Sequence, residues 1–289
     1  MVVGAGRSGT SAATRLVNLL GVPLCVPDDL MQPHEINPTG FWESVSLVEF
    51  NDRILAAAGT DYFIADELEP QWELSASLAA LRDEAEAVFR AAHPTRTWVW
   101  KDPRTCLTLP FWRQVLSERL VCVFVHRRPV PAAASTKRFD PEHTVEYGLA
   151  LWERLNASAL ESMSSLPVYA ASFEALCDDA VGWSAGVAAF LDDQDVRVTA
   201  PDEAAISAFV DPALRHDHAH LEADRLTESQ RRLADVLDSL DGPHSVFTTP
   251  SLMPPSRESD VVRVARGGYF ARRTALLKQV LAQQAPGPP

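Results

Sequence analysis

The sequence predicts an α/β protein in which a central parallel sheet is flanked by helices, and three observations carry that prediction. Short apolar runs alternate with longer segments of helical apolar spacing as far as Leu191. Nearly every apolar run ends in polar or charged residues, as strands do when a parallel sheet builds its site at their carboxyl ends. The first run passes through a glycine-rich turn, Gly4-Ala5-Gly6-Arg7-Ser8-Gly9, straight into a helical segment.

Taken in order, Val2-Val3 reads as the first strand and Ala12 to Leu20 as the first helix. Gly21 to Pro38, rich in Pro and Asp, reads as an excursion over the loop, with a turn at Asn37-Pro38-Thr39-Gly40. Apolar spacing predicts helices over Val45 to Ala58 and Leu74 to Ala92, the second ended by His93-Pro94. Thr97 to Trp100 reads as a short buried strand that delivers Lys101-Asp102-Pro103-Arg104, and Thr105 to Leu116 as a helix. The apolar strand Leu120 to Val125 ends in His126-Arg127-Arg128-Pro129, and a helix begins over Pro131 to Thr136. Val145 to Ser162 reads as a long helix, Val168 to Ser172 as a strand and Glu174 to Leu191 as one helix. Asp192 to Ser259 is less regular. Val261 to Gln284 reads as a terminal helix interrupted at Gly267-Gly268, and 285–289 as a frayed tail.

At 289 residues, with 46% hydrophobic and 22% charged residues, the chain can bury a full core in the manner of a soluble globular protein. No repeat or linker divides it, so a single domain over 1–284 is expected. The net charge of −13 disfavours a general binder of nucleic acid or anionic membrane. An anionic ligand then needs a local basic pocket. Cys25, Cys106, Cys122 and Cys177 are scattered, which disfavours a zinc site or a disulfide framework and fits a reducing compartment. With no leader-like segment and no spanning apolar run, a cytoplasmic location is expected.

The first loop is built for phosphate or a similar anion. A helix N-terminus offers unpaired N–H groups and the positive end of its dipole. Gly4, Gly6 and Gly9 allow close approach, Ser8, Thr10 and Ser11 add donors, and Arg7 adds a fixed charge. A Walker A loop is disfavoured, because Thr10 stands where its lysine is required. A dinucleotide loop stays open: the pattern Gly-x-Gly-x-x-Gly is met, and Asp28 and Asp29 lie roughly 20 residues on. In the third reading, Gly6-Arg7-Ser8-Gly9-Thr10-Ser11 resembles the 5′-phosphosulfate loop of sulfotransferases that use 3′-phosphoadenosine 5′-phosphosulfate (PAPS).

That resemblance extends along the chain. Arg127 and Ser135 match the spacing of the family's 3′-phosphate motif. Guanidinium forks suit phosphate oxygens, and a dinucleotide enzyme has no need of this second pocket. Asn37 to Glu43, Lys101 to Arg104, Phe173 to Leu176 and Asp211 to Arg215 are similar to further segments of the bacterial branch, in order. Arg266-Gly267-Gly268 is faintly similar to a C-terminal Arg-Lys-Gly of the cytosolic branch, without its lysine. Phe173 replaces a tyrosine, and Pro103 occupies the position of the cytosolic branch's catalytic histidine. The resemblance implies a P-loop-like three-layer fold and transfer of a sulfuryl group from PAPS to a hydroxyl of a small molecule. Two alternatives are a nicotinamide or flavin oxidoreductase and a nucleotide-binding relative without catalysis.

Sulfuryl transfer needs an in-line acceptor oxygen, charge stabilisation on the leaving phosphate and a proton acceptor. Arg7 and the loop N–H groups can stabilise the phosphate, with Lys101 reaching the same oxygens or pairing with Asp102. Glu43, after Phe41 and Trp42, is the first candidate base, since aromatic neighbours desolvate a carboxyl and raise its pKa. The plain alternative is a helix N-terminal glutamate. His34 is the second candidate base. His216, His218 and His220 alternate in a polar stretch without a fourth ligand, so no metal site is assigned.

Overall fold

The computed structural model describes residues 1–35, 37–210 and 225–284. Its centre is a small open sheet of four strands, β1 (Val2–Val3), β2 (Cys122–His126), β3 (Val168–Ser172) and β4 (Gly242–His244), in that order. β1, β2 and β3 run parallel, whereas β4 pairs antiparallel with β3. The sheet is therefore mixed, not wholly parallel as expected. β4 lies at an edge and contains Pro243, which has no N–H to give and is tolerated at an edge. The expected strand over 97–100 shrinks to one parallel bridge, Val2 with Lys101, in which the Val2 N–H donates to the Trp100 carbonyl at 2.9 Å.

Side chains alternate across the strands, so each face buries its own core. Val3, Cys122 and Phe124 join one apolar cluster, while Val2, Val123 and Val125 join another. The first cluster packs under α2 (Val45–Ala57), α3 (Ala79–Ala92), α4 (Thr105–Val115) and α6 (Val145–Ser162). The second packs under α1 (Thr10–Leu19) and α8 (Ala180–Asp193). The remaining helices are α5 (Pro129–Phe139), α7 (Phe173–Asp178), α9 (Glu203–Phe209), α10 (Glu228–Asp238) and α11 (Arg257–Gln284).

Three local expectations are corrected. The helix expected over 174–191 is two, because Asp179 leaves helical geometry at φ −147° and caps α8 by accepting from the Gly182 N–H at 2.8 Å. The stretch from Leu74 starts as short 3₁₀ turns, and α-helix begins only at Ala79. Gly267-Gly268 does not interrupt the last helix, which runs unbroken from Arg257 to Gln284. A Cβ on Gly267 would sit 2.4 Å from the Phe63 carbonyl oxygen, so this glycine serves a close approach inside a helix. The segments 211–215 and 285–289 lie outside the described residues. Among the described residues, no helix is long and apolar enough to cross a membrane.

Candidate functional site

The loop after β1 and the segment after β2 meet at the carboxyl ends of their strands. Gly4 lets the chain leave β1 against β2, since a Cβ there would lie 2.2 Å from the Val125 carbonyl oxygen. Arg7 adopts a left-handed φ of 68° and Gly9 one of 85°, which turns the chain into α1. No side chain caps α1 and no acidic residue sits in its first turn, whereas α2, α6 and α10 are capped by Ser44, Thr144 and Thr227. Helix N–H groups not taken by a cap are available to an anion.

Two residues 120 and 128 positions further along the chain than Arg7 then close on that loop. Arg7 Nε donates to Ser135 Oγ at 3.0 Å, and Arg127 Nη1 donates to the Arg7 carbonyl at 3.2 Å. Arg127 is buried, its guanidinium lies 4.6 Å from the Phe173 ring centre, and its Nε has no hydrogen-bond partner among the described residues. Arg7, Arg127, Ser135 and Arg138 line a cavity of about 520 Å³ whose other side is apolar, with Phe173, Leu176 and Phe209. Burial first, and then the neighbouring guanidiniums, hold Arg7 and Arg127 below the ordinary arginine pKa. Three mutually repelling cations in one pocket, opposed at Arg127 by Glu174, favour a polyanionic ligand.

A second cavity of about 300 Å³ shares Arg7, Thr10, Ser11 and Asn37 with the first. Its polar floor is an ion pair between Lys101 and Glu43, both buried. Lys101 Nζ also donates to Ser11 Oγ at 3.3 Å, which ties the pair to the start of α1. Glu43 is set in place by its own backbone, whose carbonyl accepts from the Met31 N–H at 2.8 Å. Burial raises the Glu43 carboxyl above the ordinary carboxylate range, against the opposing pull of Lys101. Lys101 does not pair with Asp102. In an extended segment neighbours point to opposite sides, and Asp102 turns to the core, accepting from Asn51 at 2.8 Å and from the Arg104 guanidinium at 3.1 Å.

The sequence-predicted residues thus sort unequally. Gly6, Arg7, Gly9, Thr10, Ser11, Glu43, Lys101, Arg127 and Ser135 all lie on one or both cavities. Ser8 is fully buried, lines neither cavity and has an Oγ without a partner among the described residues. His34 is exposed and lines neither cavity. Phe41 lines the Glu43 cavity, but Trp42, at φ 59°, turns away to pack on Arg15 and Phe209. Asp29 is absorbed by α2, accepting from the Ser46 N–H at 2.8 Å, and residues 22–26 form no strand. Both findings weigh against a dinucleotide loop. His216, His218 and His220 lie outside the described residues. Sequence reasoning missed Arg138 and His143, which carry no local motif. Comparison of the chain with protein-family models, with curated proteins and with solved structures gives no match.

Proposed function

We propose that this protein is a PAPS-dependent sulfotransferase on a P-loop-like three-layer fold, transferring a sulfuryl group to a hydroxyl of a small molecule. The observation that carries the reading is the meeting of Arg7 with Ser135 and Arg127 on a cavity that shares a wall with the buried Glu43–Lys101 pair. Helices on both faces of the sheet support the fold.

The donor fits the residues present. The uncapped α1 N-terminus with Arg7, Thr10 and Ser11 would hold the 5′-phosphosulfate, Arg127 and Ser135 the 3′-phosphate, and the Phe173 side of the pocket the nucleoside. In the transfer, the acceptor oxygen forms a bond to sulfur as the bond from sulfur to the phosphate oxygen breaks. The acceptor's proton passes to Glu43, and the charge left on the 5′-phosphate is met by Arg7, Lys101 and the loop N–H groups. Burial suits Glu43 to this role by raising its proton affinity toward the working pH.

The test is calorimetric titration with 3′-phosphoadenosine 5′-phosphate, beside 5′-AMP and NADP⁺, on wild type and Arg127→Ala. The bisphosphate is expected to bind more tightly than AMP by at least tenfold, a preference that Arg127→Ala removes. Equal binding of bisphosphate and AMP, or a preference for NADP⁺, overturns the reading.

A further inference from the structure

Gly6 is a glycine that its own backbone does not require. Gly9 takes a left-handed φ of 85°, whereas Gly6 takes no such angle. Instead, a Cβ on Gly6 would lie 2.3 Å from the Tyr62 hydroxyl oxygen and 3.6 Å from the ring carbon that bears it. The missing side chain makes room for a phenol laid against the loop after β1. Tyr62 and Gly6 both line the cavity over Glu43 and Lys101, and neither lines the cavity beside Arg127. The Tyr62 hydroxyl makes no hydrogen bond to a described residue, and it is not among the unpartnered side-chain atoms sealed from solvent, as Ser8 Oγ is. It opens onto the cavity that its residue lines.

The phenol is held in place by its surroundings. Its ring meets Phe63 edge-on at 5.6 Å and 73°, and the Arg104 guanidinium lies 5.5 Å from its centre. Its turn is closed by Asp61, which accepts from the Phe63 and Ile64 N–H groups at 2.8 and 2.9 Å. Tyr147 fixes the same turn by donating to the Phe63 carbonyl at 2.9 Å. Burial, with Cys106 adding and Arg104 opposing, holds the Tyr62 pKa above the ordinary phenol value, so the group keeps its proton and can donate it. Arg7, Lys101 and the start of α1 border the same space, and Glu43 is already paired with Lys101. Such a setting favours an oxyanion, which accepts from a donor.

We propose that the Tyr62 hydroxyl donates a hydrogen bond to an oxygen of the sulfuryl group being transferred, a contact that the phosphates of the nucleotide do not make. The identity of the ligand rests on the sulfotransferase reading. Arg127 and Ser135 line only the other cavity, so a donor held there and across Arg7 presents to Tyr62 the end that meets the acceptor. The test is calorimetric titration, without acceptor, of PAPS and of 3′-phosphoadenosine 5′-phosphate, which lacks the sulfuryl group. Tyr62→Phe is expected to bind PAPS about tenfold more weakly than wild type, the increment of one hydrogen bond to a charged group, and to bind the bisphosphate equally. Because the hydroxyl has no protein partner, Tyr62→Phe is expected to melt as wild type does, and a clear fall in Tm overturns the proposal. Gly6→Ala tests the geometry with no ligand present. It is expected to lower Tm in the wild-type background and to be tolerated in Tyr62→Phe, where the nearest ring carbon is an ordinary contact. An equal fall in both backgrounds overturns the placement of the hydroxyl on the loop. PAPS binding unchanged in Tyr62→Phe, or a loss equal for both ligands, overturns this proposal alone if wild type still prefers the bisphosphate to AMP. A wild type that binds neither ligand overturns both readings.

Discussion

At the scale of single residues, the Glu43–Lys101 pair makes the sharpest demands. Removing one member of a buried ion pair leaves the other charge uncompensated, a cost of about 3–5 kcal/mol. Glu43→Gln is therefore expected to destabilise the fold by about 3 kcal/mol in denaturant unfolding, and Glu43→Gln with Lys101→Met to recover most of that. Turnover with PAPS is expected to fall by about 10²–10⁴ in both, the value of a general base. Wild-type turnover in Glu43→Gln would remove this residue from the chemistry. Because burial raises the Glu43 pKa, the acid limb of kcat/KM is expected above the ordinary carboxylate range, activity falling as pH drops through it. His93 makes a different prediction. It is buried between Phe89 and Trp98, and burial pushes its pKa down from 6.5 to about 4. Between those values the unfolded chain binds the extra proton, so stability rises with pH through the window and is lost as pH falls toward 4. The shift corresponds to about 3 kcal/mol, and His93→Phe is expected to flatten the stability profile between pH 6.5 and 4 by that much.

At the scale of elements, α11 supports the wall of the cavity over Glu43 and Lys101. Its Gly267 backs onto Phe63, and Arg263 bonds to the Ile64 carbonyl, so the loop carrying Tyr62 and Phe63 is held from behind. The two adjacent glycines should respond in opposite directions. Gly267→Ala forces a Cβ into the Phe63 carbonyl and is expected to cost about 1–3 kcal/mol despite alanine's better helix propensity. Gly268→Ala meets only the end of Arg272 at 3.6 Å and is expected to stabilise by up to about 1 kcal/mol. Thermal unfolding of the two variants checks the pair, and equal effects would show that Gly267 does not set the approach. Much of the element order was legible because helix periods of this length are strongly patterned: α2, α4 and α6 lie within a residue or two of their predicted spans. The split at Asp179 was not legible, since apolar spacing runs through it and only the cap geometry breaks it.

At the scale of the whole molecule, the site is the seam where β1 and β2 end and α1 and α5 begin. A ligand spanning Arg7, Arg127 and Ser135 ties those elements together and binds only the folded chain. At a concentration of one hundred times its Kd, 3′-phosphoadenosine 5′-phosphate is expected to add about 2.7 kcal/mol, raising Tm by about 4 °C. AMP at the same concentration should add less, and Arg127→Ala should abolish the difference. The net charge of −13 means this attraction is local: the three guanidiniums act against the field of the rest of the molecule.

The sequence by itself determined the α/β class and the glycine-rich turn from the first strand into the first helix, because glycine spacing, a helix start and strand-end cations are local patterns. It also pointed to Arg127 and Ser135 as partners of that loop. Tertiary structure decided the rest. It set the antiparallel β4 at the sheet edge, turned Lys101 to Glu43 and not to Asp102, spent Asp29 on α2 and left His34 outside. It also brought Arg138 and His143 to cavity walls that no motif marks. The physical reason is common to all of these: which way a side chain faces follows from the packing of distant elements, and no window along the chain contains that.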